Sequence, residues 1–197
     1  MYNRTPEKTM SSDFIQYCNQ LSKLDKEAAA DLLNTIKSKS VKKRHYFLRE
    51  GEVCRNLYFI DKGLIKIHFI KEGKEFIMRF FPEKAMFTVL DSYYTKTPSN
   101  FMIMALETTT VTYIHRDNLE SLCEKHHCIE TFFRRLVSIA TINMMKRISE
   151  MLEENATTRY NNFVRENSNL LQRISLGDLA KYIGITQVSL SRIRATK

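Results

Sequence analysis

The sequence predicts a mixed α+β chain: an N-terminal antiparallel β-roll with flanking helices, a long central helix, and a C-terminal helical helix-turn-helix domain. Three observations predict it. Short runs of aromatic and β-branched residues, separated by glycine turns, fill the first half. A stretch without glycine or proline runs from Cys128 to Glu154. The segment from Ile174 to Lys197 has the apolar spacing of two short helices about a turn.

Residues 11–38 read as helical. Phe14, Ile15, Cys18 and Leu21 form one stripe, and Ala28 to Ile36 form another after Leu24 and Asp25, with Asp25 placed as an N-cap. From Val41 the pattern changes. His45 to Leu48, Leu57 to Ile60, Leu64 to Ile70 and Glu75 to Phe81 read as strands, with Gly51, Gly63 and Gly73 at the turns between them. Pro82 to Asn100 is less regular, with a short helix around Phe87 to Tyr94. Phe101 to Leu106 and Thr108 to Ile114 are two further strands, and helix resumes at Asp117-Asn118. These strands imply a small antiparallel roll or barrel.

The long helix carries too many apolar residues for one stripe, so more than one of its faces must be covered. One side is expected on the roll and the other on a second copy of the chain. Phe132, Phe133, Leu136, Ile139, Ala140, Asn143 and Met144 are the candidate dimer residues. Asn155 ends this helix, and Ala156 to Glu166 forms another. The expected organisation is residues 1–127 as the roll domain, 128–154 as the dimerisation helix, and 155–197 as the helix-turn-helix domain.

In the C-terminal segment Leu179 and Ile183 lie one helical turn apart, and Leu190 and Ile193 three residues apart. Ala180 is small where two helices cross, and Gly184 falls at the turn, where a left-handed backbone suits glycine. Ser175 with Asp178 makes a looser capping box, and Thr186 an N-cap. The polar residues of the second helix are Thr186, Gln187, Ser189, Ser191, Arg192, Arg194 and Lys197, with Val188 beside them and no acid among them. That composition suits phosphates and base edges of double-stranded DNA.

The 197 residues carry 31 Lys and Arg against 22 Asp and Glu, a net charge of +9, which favours a polyanionic partner. A hydrophobic content of 43% supports a real core. No apolar run of about 18 residues is present to span a membrane, and the first ten residues have no apolar signal core. Four cysteines without framework spacing suit a reduced cytoplasm. The expected location is cytoplasmic.

The order of elements, with Arg49-Glu50-Gly51-Glu52 and then Leu57-Tyr58-Phe59-Ile60-Asp61-Lys62-Gly63 in the roll, a long helix, and a terminal helix-turn-helix, resembles the Crp/Fnr family of bacterial transcription regulators. The resemblance spans roughly Leu21 to Lys197, with Gly51 and Gly63 where that family has turn glycines. In style the sequence is most similar to ligand-orphan members common in Bacteroidetes-type bacteria. The resemblance implies a jelly-roll effector domain, and a homodimer on a near-palindromic operator with the long helices paired on the two-fold axis. It further implies RNA polymerase as a partner and base-edge contacts from Gln187, Val188 and Arg192.

Two departures stand out. Cyclic-nucleotide-binding members grip the ribose with Gly-Glu and the phosphate with Arg-Ser or Arg-Thr. Here Thr88-Val89 and Ser99-Asn100 stand in those places. A buried phosphate without its arginine is costly, so cyclic AMP control is not expected. An effector of unknown identity would sit near Thr88, Val89, Ser99 and Asn100. The second departure is that the sequence stops at Lys197, so contacts from a wing beyond the recognition helix are not expected.

Rival sites are weaker. Cys123, His126, His127 and Cys128 are metal-ligand types, but consecutive helical residues spread their side chains around the axis. Cys18 and Cys54 are too far apart in sequence for the tight N-terminal cluster of iron–sulfur members, and His68 reads as a surface or core residue rather than a haem ligand. No nucleophile triad, phosphate loop or dinucleotide fingerprint is present. The reading is therefore a regulator without metal, cofactor or catalytic residues. The other class is a regulatory module answering a small molecule or protein, with DNA binding weak or lost; the basic recognition helix favours DNA.

Overall fold

The computed structural model describes residues 6–195. Helices α1 (Pro6–Leu21) and α2 (Lys26–Thr35) lead into eight strands: β1 (Lys37–Val41), β2 (Tyr46–Leu48), β3 (Asn56–Lys62), β4 (Ile65–Lys71), β5 (Lys74–Phe81), β6 (Met86–Phe87), β7 (Met102–Ala105) and β8 (Thr109–His115). A short helix α3 (Leu90–Thr95) separates β6 from β7. Then follow α4 (Arg116–Lys125), α5 (His127–Glu153), α6 (Ala156–Glu166), α7 (Leu176–Ile183) and α8 (Gln187–Ala195). The α+β class read from the sequence holds.

The strands form two antiparallel four-stranded sheets, β1-β8-β3-β6 and β2-β7-β4-β5, which close face to face as a jelly roll. Between them Leu48, Ile60, Ile65, Phe87, Ile103 and Val111 make a dry core. Gly63 turns β3 into β4 with φ at +109°. A Cβ there would lie 2.5 Å from Thr109 Oγ1 and 2.7 Å from Thr109 Cα, so both the backbone and the space demand glycine. The outer face of the first sheet is covered by α1 and α2, through Phe14, Cys18 and Leu32 against Leu57, Phe59 and Ile114.

The two helical stripes read within residues 11–38 are borne out, with Asp25 as the N-cap of the second, but the helical reading runs too far at its end. Asn19 Oδ1 accepts from Leu24 N–H, and Asp25 caps α2 by accepting from Ala28 N–H, both at 2.8 Å, so the chain breaks between two helices. Ile36 then turns extended, and Lys37 starts an edge strand paired with Tyr113. The expected helix around Phe87 to Tyr94 begins later, because Met86 and Phe87 pair with Phe59 and Tyr58 as a short strand.

Candidate nucleic-acid interface and effector cavity

The helix-turn-helix is built from caps inward. Ser175 accepts from Asp178 N–H at 3.0 Å and opens α7, and Gly184 closes it in a left-handed conformation at φ +80°. Thr186 accepts from Ser189 N–H at 3.1 Å and opens α8, and the two hydroxyls share a second bond at 3.0 Å. Leu179, Ala180, Ile183 and Leu190 face inward against Tyr160, Phe163, Leu170 and Ile174. The opposite side of α8 exposes Gln187, Val188, Ser191, Arg192 and Arg194, while Ser189 is half-buried. Lys197 lies outside the described residues.

Contacts distant in sequence fix this unit on the roll. Its apolar core continues into Leu64, Ile77 and Phe80. Lys66, on β4 and 4% exposed, donates to Glu75 Oε1 at 2.7 Å and to Asp178 Oδ1 of α7 at 2.8 Å. Lys181 of α7 meets Glu75 Oε2 at 2.6 Å. Burial pushes the Glu75 carboxyl up, but the hydrogen bonds from Lys181 and Lys66 outweigh it and bring its pKa down to about 2. His68 Nδ1 lies 2.8 Å from Glu75 Oε1, at an angle that makes no hydrogen bond. Burial, with Lys66 beside it, holds the imidazole below its usual range.

Arginines complete the attachment. Arg173 forks onto Glu83 (2.8 and 2.9 Å) and Glu107 (2.6 Å) of the roll. The last carbonyls of α7 take arginines from two helices: Arg159 Nε donates to Ile183 O at 3.0 Å, and Arg147 of α5 donates to Tyr182 O with its guanidinium 3.9 Å from the Tyr182 ring centroid. Sequence reasoning missed these arginine and lysine roles. Lys66 and Asp178 are 112 residues apart, and no local spacing marks such a pair.

Helix α5 does three jobs along its length. Phe132 and Leu136, expected at a dimer seam, are buried inside the protomer with α1, α2 and α4, and Phe133 packs on Tyr93 and Tyr94. The exposed apolar stripe starts at Ile139 and continues through Ile142 (65%), Met145 (66%), Ile148 (51%) and Leu152 (81%), beyond the residues expected at the seam. Its steps of three and four residues are those of a helix-pairing seam. Met144 is also exposed.

The third job is to wall a cavity of about 530 Å³ between α5 and the roll. Leu57, Ile67, Phe87 and Phe101 line it from the roll, and Leu136, Ala140, Asn143 and Met144 from α5. Thr88 and Val89 line it as expected of an effector pocket, but Ser99 and Asn100 do not. The buried Ser99 hydroxyl closes on the Phe101 backbone, donating to its carbonyl at 3.0 Å and accepting its N–H at 2.9 Å. The Ser99 backbone pins Gly51 and Glu52, and Asn100 is exposed. Thr88 Oγ1 donates to Asn56 O at 3.0 Å. Arg79, which no sequence motif marks, lines the cavity above the Phe81 ring and has no acidic partner among the described residues.

The metal-ligand types around residue 126 part company. His126 bonds Asp31, Cys128 bonds Asp25, and His127 is exposed. Burial pushes the Cys123 thiol up to about 11. Glu27, Asp31 and His126 do converge, but Lys125 Nζ already stands 2.9 Å from Glu27 and 2.7 Å from Asp31, so the cluster is an ion-pair knot.

Residues 38–126 match the model of the cyclic nucleotide-binding domain. No curated protein is significantly similar to the chain in sequence. Among solved structures the chain is similar to FixK2 from Bradyrhizobium japonicum, with 16% identity, a TM-score of 0.72, and 82% of this chain and 83% of that one covered. It is similar to the c-di-GMP responsive global regulator CLP from Xanthomonas campestris, with 14% identity, a TM-score of 0.71, and 87% and 91% covered. A candidate transcriptional regulator of the Crp/Fnr family from Eubacterium rectale gives 15% identity, a TM-score of 0.68, and 86% and 82% covered. A roll of the cyclic nucleotide-binding domain family, joined by a long helix to a helix-turn-helix, gives this chain the fold of the Crp/Fnr transcription regulators.

Proposed function

We propose that the protein is a sequence-specific, DNA-binding transcription regulator of the Crp/Fnr type, acting as a homodimer on a near-palindromic operator, and not an enzyme. The observation that carries this reading is α8: a capped helix with a basic, hydroxyl-rich and acid-free exposed face, held by its other face on a rigid scaffold. Residues 1–127 serve as the effector module, 128–154 as the pairing helix and 155–197 as the DNA-binding domain, in the cytoplasm, with RNA polymerase as the downstream partner. Among the described residues no helix is long and apolar enough to cross a membrane.

In this reading Gln187, Val188 and Arg192 of α8 read bases, and Ser189, Ser191 and Arg194 of α8, Thr186 before it and Lys197 of the sequence beyond the described residues position the helix on phosphates. Arg192 suits guanine O6 and N7, and Val188 suits a thymine methyl. Operator selection followed by binding assays tests this. Arg192→Ala is expected to cost about 1–3 kcal/mol on the selected site and to flatten one symmetric base pair. An unchanged motif with Arg192→Ala, or no selected motif from the unmodified protein, would overturn the assignment.

The cavity supports a small, largely apolar effector. It offers no Gly-Glu pair for a ribose, since Thr88 is spent on Asn56 and Val89 is buried in the roll core. Cyclic AMP and cyclic GMP are expected to bind no tighter than about millimolar, about 4 kcal/mol weaker than a micromolar ligand. Calorimetry giving a micromolar constant would sink this, and would make Arg79 the phosphate holder.

A further inference from the structure

The cavity between α5 and the roll carries its charge unevenly. Of the residues that line it, only Arg79, Asp91 and Arg147 are charged. Asp91 stands exposed in the first turn of α3. Arg147 is committed, since it donates to Tyr182 O and pairs with Glu150 at 3.6 Å. Arg79 is exposed at the cavity mouth and, among the described residues, makes no ion pair.

The register of β5 explains where Arg79 points. It pairs with Ile67 across the ladder, and cross-strand partners share a face, so both line the cavity. Phe80, the next residue, takes the other face and packs on Phe163 and Tyr182 of the helix-turn-helix domain. The guanidinium thus stands where the roll meets that domain. Burial pushes the Tyr182 phenol up, and Arg147 and Arg79 both act against that rise, as two cations near one ring must.

Two of the lining hydroxyls are spent on backbone: Thr88 Oγ1 donates to Asn56 O, and Thr141 Oγ1 donates to Val137 O at 3.0 Å. What remains is a mainly apolar space, walled by side chains such as Met78, Phe81, Phe87 and Met144, with one unspent cation at its mouth. Its volume of about 530 Å³ falls within the range of about 300–1,000 Å³ usual for small-ligand sites.

We propose that the cavity takes an apolar monocarboxylate, with its carboxylate on Arg79 and its chain or ring among the apolar side chains, and that Arg147 passes this occupancy to the helix-turn-helix. The proposal rests on the effector-site and DNA-binding readings above. A guanidinium presents two parallel N–H groups that match one carboxylate. A phosphate dianion would leave a charge unmatched, because Arg147 already serves Tyr182 O and Glu150. Burial of the apolar body supplies most of the affinity, and Arg79 selects the head group. Ala140, Met144 and Arg147 recur at steps of four and three, so they share the face of α5 that walls the cavity. An occupant pressed on this face meets the residue that holds the last turn of α7, just before Gly184 and α8.

Calorimetry with decanoate, phenylbutyrate and naphthylacetate tests the ligand class, with the alcohol and the amine of each skeleton as neutral and cationic counterparts. The best acid is expected to bind at one molecule per chain, about tenfold or more tighter than its alcohol, with its amine weaker still. Arg79→Met should remove that advantage and leave the alcohol bound, which also shows that the variant is folded. Arg79→Lys should keep part of it. The acid should change operator affinity by about fivefold or more, and operator should change acid affinity by the same factor. In Arg147→Met the acid should still bind and this change should vanish, while Arg147→Lys should keep part of it. Equal binding of acid and alcohol, a preference that survives Arg79→Met, or several acids per chain overturns the proposal while the bound alcohol leaves the effector site standing. No binding by any acid or alcohol overturns the effector-site reading and the proposal together. Acid binding that leaves operator affinity unchanged, or a change that survives Arg147→Met, overturns the coupling. A protein that binds no operator with or without acid overturns the DNA-binding reading and the coupling, and leaves Arg79 to be judged by calorimetry.

Discussion

Ile142→Glu is expected to turn a dimer into a monomer. The side chain stands 65% exposed on a 27-residue helix, in line with Ile139, Met145, Ile148 and Leu152. Water-exposed apolar rows of this length are unusual on a solitary protomer. Pairing two such rows about a two-fold axis buries them, and a glutamate on each copy then places two carboxylates near one another without a partner. The cost is about 3–5 kcal/mol, or roughly a hundredfold or more in dissociation constant. Sedimentation equilibrium of unmodified and variant protein reads it directly. A control separates the seam from the core: Leu136→Glu strikes a residue buried with Phe14, Leu57 and Ile129, so it should unfold the protomer instead of splitting the dimer. A dimeric, folded Ile142→Glu protein would refute this seam, as would an unmodified protein that is monomeric at tens of micromolar.

The contrast between Leu136 and Ile142 also shows what the sequence could and could not convey. That α5 was apolar on more than one face was legible, because its residues exceed one stripe. Which face met which neighbour was not, because Phe132 and Ile142 look alike until α1 and α2 are seen to cover the first and not the second. The strands with aromatic and β-branched runs were legible for the same reason that they fold: alternate side chains fill the roll. Lys37 to Val41 was not. As an edge strand of lysines and serines it buries little, and its pairing to β8 rests on the backbone ladder with one side-chain bond, Thr110 Oγ1 to Ser40 Oγ at 3.2 Å. The two helices of the helix-turn-helix were readable from caps and spacing, which are local. The cavity was readable only in part. Thr88 and Val89 reach it, while Ser99 spends its hydroxyl on its own turn. Arg79 and the attachments through Arg147, Arg159 and Arg173 depend on chain crossings that no window of sequence contains.

The second large effect is expected at Lys66. Its ammonium sits inside the joint between β4, β5 and α7, with two carboxylates at 2.7 and 2.8 Å. Lys66→Met keeps the length of the side chain and removes the charge. Glu75 is then left to Lys181 and Asp178 to Ser175, in a joint where solvent reaches little of either carboxylate. Breaking a buried pair by removing one partner costs about 3–5 kcal/mol at neutral pH, more than the intact pair contributes over an apolar substitute, because an uncompensated charge stays behind. The pH dependence gives a second signature. With Lys66 in place the Glu75 pKa is about 2 when folded, against 4.5 ordinarily, so its contribution is complete above about 4.5 and is lost as pH falls toward 2. His68 acts in the same direction, since an imidazole held below its usual 6.5 resists the proton that the unfolded chain accepts. Lys66 contributes to both depressions. Urea unfolding of Lys66→Met across pH 3–7 is therefore expected to show lower stability at pH 7 and a flatter acid limb than the unmodified protein. The joint also sets where α7, and through it α8, stands on the roll, so operator affinity should fall together with stability. A loss below about 1 kcal/mol, with an unchanged acid limb, would mean that the apolar contacts of Leu64, Ile77 and Phe80 hold the helix-turn-helix domain in place without the ion pairs.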